Sequence, residues 1–195
     1  MGRPEAGVSA PPAAPLLLAS TSPQRRAILE QLAIPFDVVV PQFEERGDDP
    51  VEHAIGKARS VDGGDRPVLG VDTIVFCDER MLGKAADASE AEAMLESLAG
   101  RTHEVVSGLC LRTSAWEETH REVTHVTFRP LTPRDLARYV GSGEWEGRAG
   151  AYAIQGLGAA LVERIDGDYL NVVGLPGALL VRLLAGRFPG AYGFG

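Results

Sequence analysis

The sequence is short of lysine, cysteine, aromatic residues and long apolar runs. Of its 19 basic residues only Lys57 and Lys84 are lysine; the other seventeen are arginine. The basic residues are outnumbered by 27 acids, for a net charge of −8. That balance excludes a general nucleic-acid binder, which shows a basic face. It leaves room for a small anionic ligand, because a few local cations can hold phosphates. The two cysteines, Cys77 and Cys110, each sit in an apolar run and form no CxxC or Cys/His cluster. A zinc site is therefore not expected, and two buried free thiols in a reducing cytosol are. No apolar run reaches the roughly 18 residues of a membrane span. The N-terminal stretch lacks the continuous apolar core of a secretion signal. A cytoplasmic protein without membrane or nucleic-acid partners is the expectation.

The 195 residues are 45% hydrophobic and 24% charged, globular values that allow one domain with a sizeable core. Residues 1–14 are rich in Pro and Ala and read as a disordered tail. A single domain is expected over 15–186, and a fraying tail over 187–195.

Strands and helices are mixed along the chain, so the class is α/β. Leu16–Ala19 reads as a buried strand that breaks at Ser20-Thr21-Ser22-Pro23. Ser22 is a good N-cap and Pro23 suits the first helical position, so a helix is expected to about Leu32. Phe36–Val40 reads as a strand, Val51–Val61 as a helix and Val68–Cys77 as a strand that turns back at Asp78–Met81. A helix follows over Glu90–Leu98, closed by Gly100. His103–Arg112 and Thr119–Phe128 alternate as two long paired strands. Thr132-Pro133 opens a helix through Val140. After a Gly-rich stretch, Ala159–Ile165 reads as a strand and Leu175–Ala185 as the closing helix. Gly167-Asp168-Tyr169 reads as a turn.

Two polar breaks follow apolar strands. At Ser20–Arg26 a helix start presents free N–H groups and the positive end of a dipole. Arg25 and Arg26 in that first turn oppose the dipole, and a bound anion would compensate. The same residues also read as a solvent-exposed Arg pair beside an ordinary cap. At Val71-Asp72-Thr73-Ile74 an acid interrupts an apolar run, and burying it unpaired is costly. Its sequence neighbours offer no cation, so a partner must come from elsewhere in the fold. Glu44-Glu45, in a loop, can supply a hard oxygen ligand to Mg²⁺ or remain solvated. Around Gln155 the segment Gly150–Gly158 either lets a ligand approach closely or makes a tight turn. His120 and His125 fit no common metal spacing and read as exposed strand residues.

Taken together, these segments resemble the Maf family of nucleoside triphosphate pyrophosphatases. The matching stretches run in family order: LASTSPQRRAIL at 18–29, FEE at 43–45, KA at 57–58, GVDTIV at 70–75, LGK at 82–84, SGEWEGRAGAYAIQG at 142–156 and GDYLNVVGLP at 167–176. The resemblance implies a two-lobed, inosine-triphosphatase-like mixed sheet with flanking helices and a central cleft. It implies cleavage of the α–β phosphoanhydride of a nucleoside triphosphate with a divalent metal, Mg²⁺ or Mn²⁺, and a homodimer.

Carried over by motif, Asp72 is the proton acceptor that activates water and, with Glu45, a metal ligand. Ser20 and Arg25 hold phosphate, Lys57 and Lys84 neutralise the triphosphate, and Gln155 with Thr73 sits where the family distinguishes bases. Gln24, at another substrate position, stands where the dTTP/UTP branch usually has Arg and the 7-methyl-GTP branch Trp. Ala85 replaces a common Pro, and the loop between Glu45 and Lys57 is short. Thr73 and Gln155 match the dTTP/UTP branch. A 7-methyl-GTP pyrophosphatase and a non-catalytic nucleotide-binding regulator of cell division are the alternatives.

Overall fold

The apolar run Leu16–Ala19 forms the first strand (β1), fully buried. Ser22 ends it and caps the first helix (α1, Pro23–Gln31), its hydroxyl accepting from the Arg25 amide, with Pro23 in the first turn. Ile28 and Leu29 point inward from that helix. The computed structural model describes residues 14–195; the Pro/Ala-rich tail expected over residues 1–14 falls outside them except for Ala14.

The chain continues through β2 (Phe36–Val39), α2 (Pro50–Arg59), β3 (Val68–Cys77), β4 (Arg80–Leu82), α3 (Ala88–Leu98), β5 (Thr102–Arg112), β6 (Glu117–Phe128) and α4 (Pro133–Val140). A 3₁₀ turn at Gly156–Leu161 leads into β7 (Val162–Asp166), and α5 (Tyr169–Val173) and α6 (Gly177–Arg187) finish the fold. The seven strands make one mixed sheet in the order β2-β1-β3-β5-β6-β7, with β4 beside the far end of β3. β1 is parallel to β2 and β3, whereas the pairs β3–β5, β5–β6 and β6–β7 are antiparallel. Asp78 and Glu79, both with positive φ, turn β3 back into β4. Two such residues match the twist of a tight hairpin.

Three expectations shift. The apolar Ala159-Ala160-Leu161 lies in the 3₁₀ turn, and the strand begins at Val162. Its start is set by Gly158, where a Cβ would meet the Ala153 carbonyl at 1.8 Å. The turn expected at Gly167-Asp168-Tyr169 opens a short helix instead. Asp168 caps it, and the buried Asn171 amide donates to Val105 O (3.0 Å) and Thr124 Oγ1 (3.1 Å). After α6, Tyr192 is buried and its hydroxyl donates to Ala14 O, so this part of the expected tail packs on the core.

The core lies on both faces of the sheet and at its far end. Leu16, Leu18, Leu69, Val71, Leu109 and Leu111 pack against α1 and α6. Leu17, Ala19, Val68 and Cys110 pack on the opposite face against Ala54 and Ala58 of α2. The second halves of the long strands, with Val75, Cys77 and Val105, enter a third cluster with α3, α4 and Tyr152. Asp72 and Thr73 therefore sit where one strand passes between packed bodies. Both cysteines are free and buried.

Helix α2 rests almost directly on the sheet. Gly70 on β3 and Gly108 on β5 share the face of Asp72, since Gly108 is its cross-strand partner and Gly70 is two residues away. A Cβ at Gly70 would lie 2.1 Å from Ala54 O, and one at Gly108 would lie 2.1 Å from Pro50 O. Both obstacles are helix backbone and cannot swing aside. Gly70→Ala and Gly108→Ala should each cost about 1–3 kcal/mol by overpacking. For a chain of this size that is a fall of about 2–12 °C in melting temperature. Gly186 in α6, with open space where a Cβ would stand, is the control; Ala there should hold or raise the melting point. Equal melting points for all three variants would mean that α2 is not seated by the glycines.

Candidate active site

A cavity of about 650 Å³ opens between the packed bodies. Ser20, Gln24, Arg25, Glu45, Lys57, Asp72, Thr73, Lys84 and Gln155, each given a role by the family resemblance, line it; Arg26 and Glu44 do not. The former arrive from six places in the chain: the start of α1, the loop before α2, α2 itself, the middle of β3, the residues after β4 and the loop before the 3₁₀ turn.

Asp72 is 7% exposed, and its partners come from α2. Lys57 and His53 are four residues apart and so share one helix face. Lys57 Nζ donates to Asp72 Oδ1 at 2.7 Å and contacts Glu45 Oε1 at 2.5 Å. His53 Nδ1 lies 2.9 Å from Asp72 Oδ2, and its Nε2 lies 3.0 Å from Arg46 O. A carboxylate and a carbonyl can only accept, so both contacts are satisfied together when each ring nitrogen carries a proton. Burial works against that charge, but the Asp72 carboxylate and the Arg46 carbonyl outweigh it and raise the His53 pKa. Burial likewise pushes Asp72 up, while Lys57, His53 and Arg25 together hold it below the usual carboxylate range. Asp72 is thus ionised at neutral pH.

His53 was absent from the sequence reading. Its only sequence signal is the four-residue spacing from Lys57, and nothing distinguishes that from an ordinary helix position until α2 is laid over Asp72.

Arg25 is buried, not the exposed first-turn residue of the simpler reading. Its Nε donates to Gly174 O (2.9 Å), Nη1 to Ser20 Oγ (2.9 Å) and Nη2 to Thr73 Oγ1 (3.4 Å). It ties the end of β1, the middle of β3 and the end of α5 to one guanidinium. Thr73 Oγ1 also lies 2.8 Å from Ser107 Oγ. Arg26 and Gln24 stay near the surface, with Gln24 Oε1 accepting from the Ser22 hydroxyl at 3.1 Å.

The opposite wall is a loop over residues 141–155. Glu144 accepts from the amides of Leu157 (3.0 Å) and Gly158 (3.2 Å), and the Tyr139 hydroxyl accepts from the Ala153 amide (2.9 Å). These bonds pin the backbone on both sides of Gln155. An antiparallel bridge between Lys84 and Ala149 joins the loop to the end of β4. Behind Tyr152, the buried His103 ring contacts its hydroxyl at 2.8 Å. Burial pulls the His103 pKa down to about 4, so that ring is neutral. His120 and His125 lie on β6, away from the cavity, beside Glu118 and Glu104.

The donor set fits a divalent cation. Carboxylate oxygens of Glu45 and Asp72 and a ring nitrogen of His53 lie within 4.8 Å of one another. The two acids already converge on a cation, the Lys57 ammonium. Hard oxygens are the donors that Mg²⁺ and Mn²⁺ prefer. His53 is committed at both nitrogens and serves here to orient Asp72.

Among the described residues, no helix is long and apolar enough to cross a membrane. The family model of Maf-like proteins matches residues 15–187. The chain is 46% identical to the dTTP/UTP pyrophosphatase of Nitratidesulfovibrio vulgaris over 184 residues, 89% of this chain and 88% of that one. It is 42% identical to the dTTP/UTP pyrophosphatase of Deinococcus radiodurans over 186 residues, 91% of this chain and 95% of that one. The corresponding protein of Symbiobacterium thermophilum is 47% identical over 178 residues, covering 87% and 92%. With a family match over nearly all the described residues and a mixed sheet that brings residues of separate motifs into one cavity, the chain belongs to the Maf family.

Proposed function

We propose that the protein is a nucleoside triphosphate pyrophosphatase of the cytoplasm with dTTP and UTP as its preferred substrates. The observation that carries this reading is the gathering of charge: a chain of net charge −8 turns Arg25, Lys57 and Lys84 into one cavity around a buried, ionised aspartate. The volume is that of a nucleotide-sized site. The names of the relatives support the pyrimidine assignment, as do Thr73 and Gln155 in the cavity wall.

In this reading water adds across the α–β anhydride, and the nucleoside monophosphate and pyrophosphate separate. Hydrolysis of this kind depends on positioning and charge neutralisation more than on covalent chemistry. Ser20, Arg25, Lys57 and Lys84 hold and neutralise the phosphates. Asp72 takes the proton of the attacking water; each of its oxygens keeps one lone pair beyond the bond to Lys57 or His53. Glu45 and Asp72 would hold the divalent cation, which when bound supplies charge neutralisation and a lowered pKa for water. Gln155, with Thr73 and Gln24, faces the base.

The test is a panel of dTTP, UTP, CTP and 7-methyl-GTP with Mg²⁺ or Mn²⁺, read as monophosphate and pyrophosphate. dTTP and UTP should be cleaved fastest, and chelation by EDTA should stop the reaction. Preference for 7-methyl-GTP would overturn the substrate assignment. Nucleotide binding with no product from any substrate would overturn the enzyme assignment and leave a binding protein.

A further inference from the structure

Arg148 stands in the wall of the same cavity and has no role in the reading above. Its Nε is buried and has no hydrogen-bond partner. Among the described residues its guanidinium makes neither an ion pair nor a hydrogen bond, unlike Lys57, which pairs with Glu45 and Asp72, and Arg25, which is hydrogen-bonded to Gly174 O and Ser20 Oγ. Glu144, the acid of the same loop, gives its two oxygens to the amides of Leu157 and Gly158. A buried donor left without an acceptor costs free energy, and more so when it is charged. The Nε itself is closed off, so an acceptor from outside the chain meets the guanidinium at its two terminal nitrogens, which have no hydrogen-bond partner among the described residues.

The position points to what supplies it. Ala149, next in sequence, is bridged to Lys84, and Arg148 and Lys84 line the same cavity. Lys84 likewise makes no ion pair among the described residues. The cavity thus has one wall whose cations are bonded within the protein and another whose cations are not. A guanidinium presents two N–H groups along one edge, which matches two oxygens of a phosphate, whereas the lysine beside it offers a point charge.

We propose that Arg148 is a phosphate-binding residue, engaging the polyphosphate of the substrate beside Lys84. This rests on the triphosphate reading, and its test can fail separately. Isothermal titration calorimetry with inorganic pyrophosphate and Mg²⁺ would compare the wild type with Arg148→Met and Arg148→Lys, alongside thermal melts of each. Arg148→Met should bind pyrophosphate about tenfold to a hundredfold more weakly, as loss of a charge-assisted bond implies. Arg148→Lys should fall between, because it keeps the charge and loses the forked edge. The melting temperature of Arg148→Met without ligand should be unchanged or higher, since no partner within the protein is lost. Equal pyrophosphate affinity in all three proteins, or no binding by any of them, would overturn the proposal even if the wild type hydrolyses dTTP. A lower melting point together with unchanged affinity would make Arg148 a packing residue and overturn it as well. Arg148-dependent pyrophosphate binding without any hydrolysis would sustain it while refuting the enzyme reading.

Discussion

Asp72→Asn should lower turnover of dTTP by at least about 10²–10⁴-fold, the usual contribution of a positioned base. The amide keeps the shape of the side chain and one acceptor for Lys57. It loses the basic oxygen, and its NH₂ group faces His53 Nδ1 where the carboxylate oxygen stood. Lys57 still has Glu45, so the buried ammonium is not stranded. The protein should therefore fold, with a melting point below that of the wild type at neutral pH. The sign of the pH dependence follows from the depressed Asp72 pKa. Its stabilisation is present above the unfolded carboxyl value of about 3.9 and is lost as pH falls through the lower folded value. The two melting points should converge as the solution is acidified. Single-turnover rates and melts from neutral to acid pH measure both effects. Turnover at the wild-type rate would remove Asp72 from the role of base, and a gap that persists at low pH would remove its ionised pair from the stability argument.

Lys57→Arg should be the next most damaging change, although it keeps the charge. Lys57 is buried, and its Nζ fits between a Glu45 oxygen at 2.5 Å and an Asp72 oxygen at 2.7 Å. A planar guanidinium cannot occupy that point without pushing the carboxylates apart or leaving donors unpaired. A loss of about tenfold to a hundredfold in kcat/KM is expected, equivalent to roughly 1.4–2.7 kcal/mol of transition-state stabilisation. Lys84→Arg offers the contrast, because Lys84 faces an open wall and bridges no pair of acids. It should lose less than Lys57→Arg. Wild-type kinetics from both variants would mean that the survival of two lysines among seventeen arginines is compositional.

Much of this architecture was legible because local signals and tertiary needs agreed. Ser22-Pro23 marks the start of α1, and the same residues bring Arg25 to the cavity. Asp72 stood out as an acid in an apolar run, and the physical demand for a distant partner was sound; Lys57 and His53 meet it from α2. What stayed hidden depends on packing between distant segments. The five residues of α5 are too few to hold a helix by themselves, and they are fixed by Asn171 reaching β5 and β6. The 3₁₀ turn at Gly156–Leu161 looked like strand because Ala-Ala-Leu is apolar, and only the close approach of Gly158 to Ala153 decides otherwise. His53 carried no pattern of its own, and Arg148 lay inside a matching motif with nothing to single it out. Its missing partner became visible only once the neighbouring groups had been placed.

The bare face that Gly70 and Gly108 offer to α2 bears on how this cleft can be altered. Two hydrogens stand where side chains would be, and they set the separation between the helix carrying His53 and Lys57 and the strand carrying Asp72. There is no side-chain spacer to trim or lengthen, so that half of the cavity behaves as a fixed jaw. The loop with Arg148 and Gln155 is held instead by the Lys84–Ala149 bridge, by the Gly150 amide on the Leu82 and Gly83 carbonyls, by the Tyr152–His103 contact and by bonds of its own. Variation in substrate choice, by natural drift or by directed evolution, should accumulate on that loop, while the glycine-seated jaw tolerates almost none.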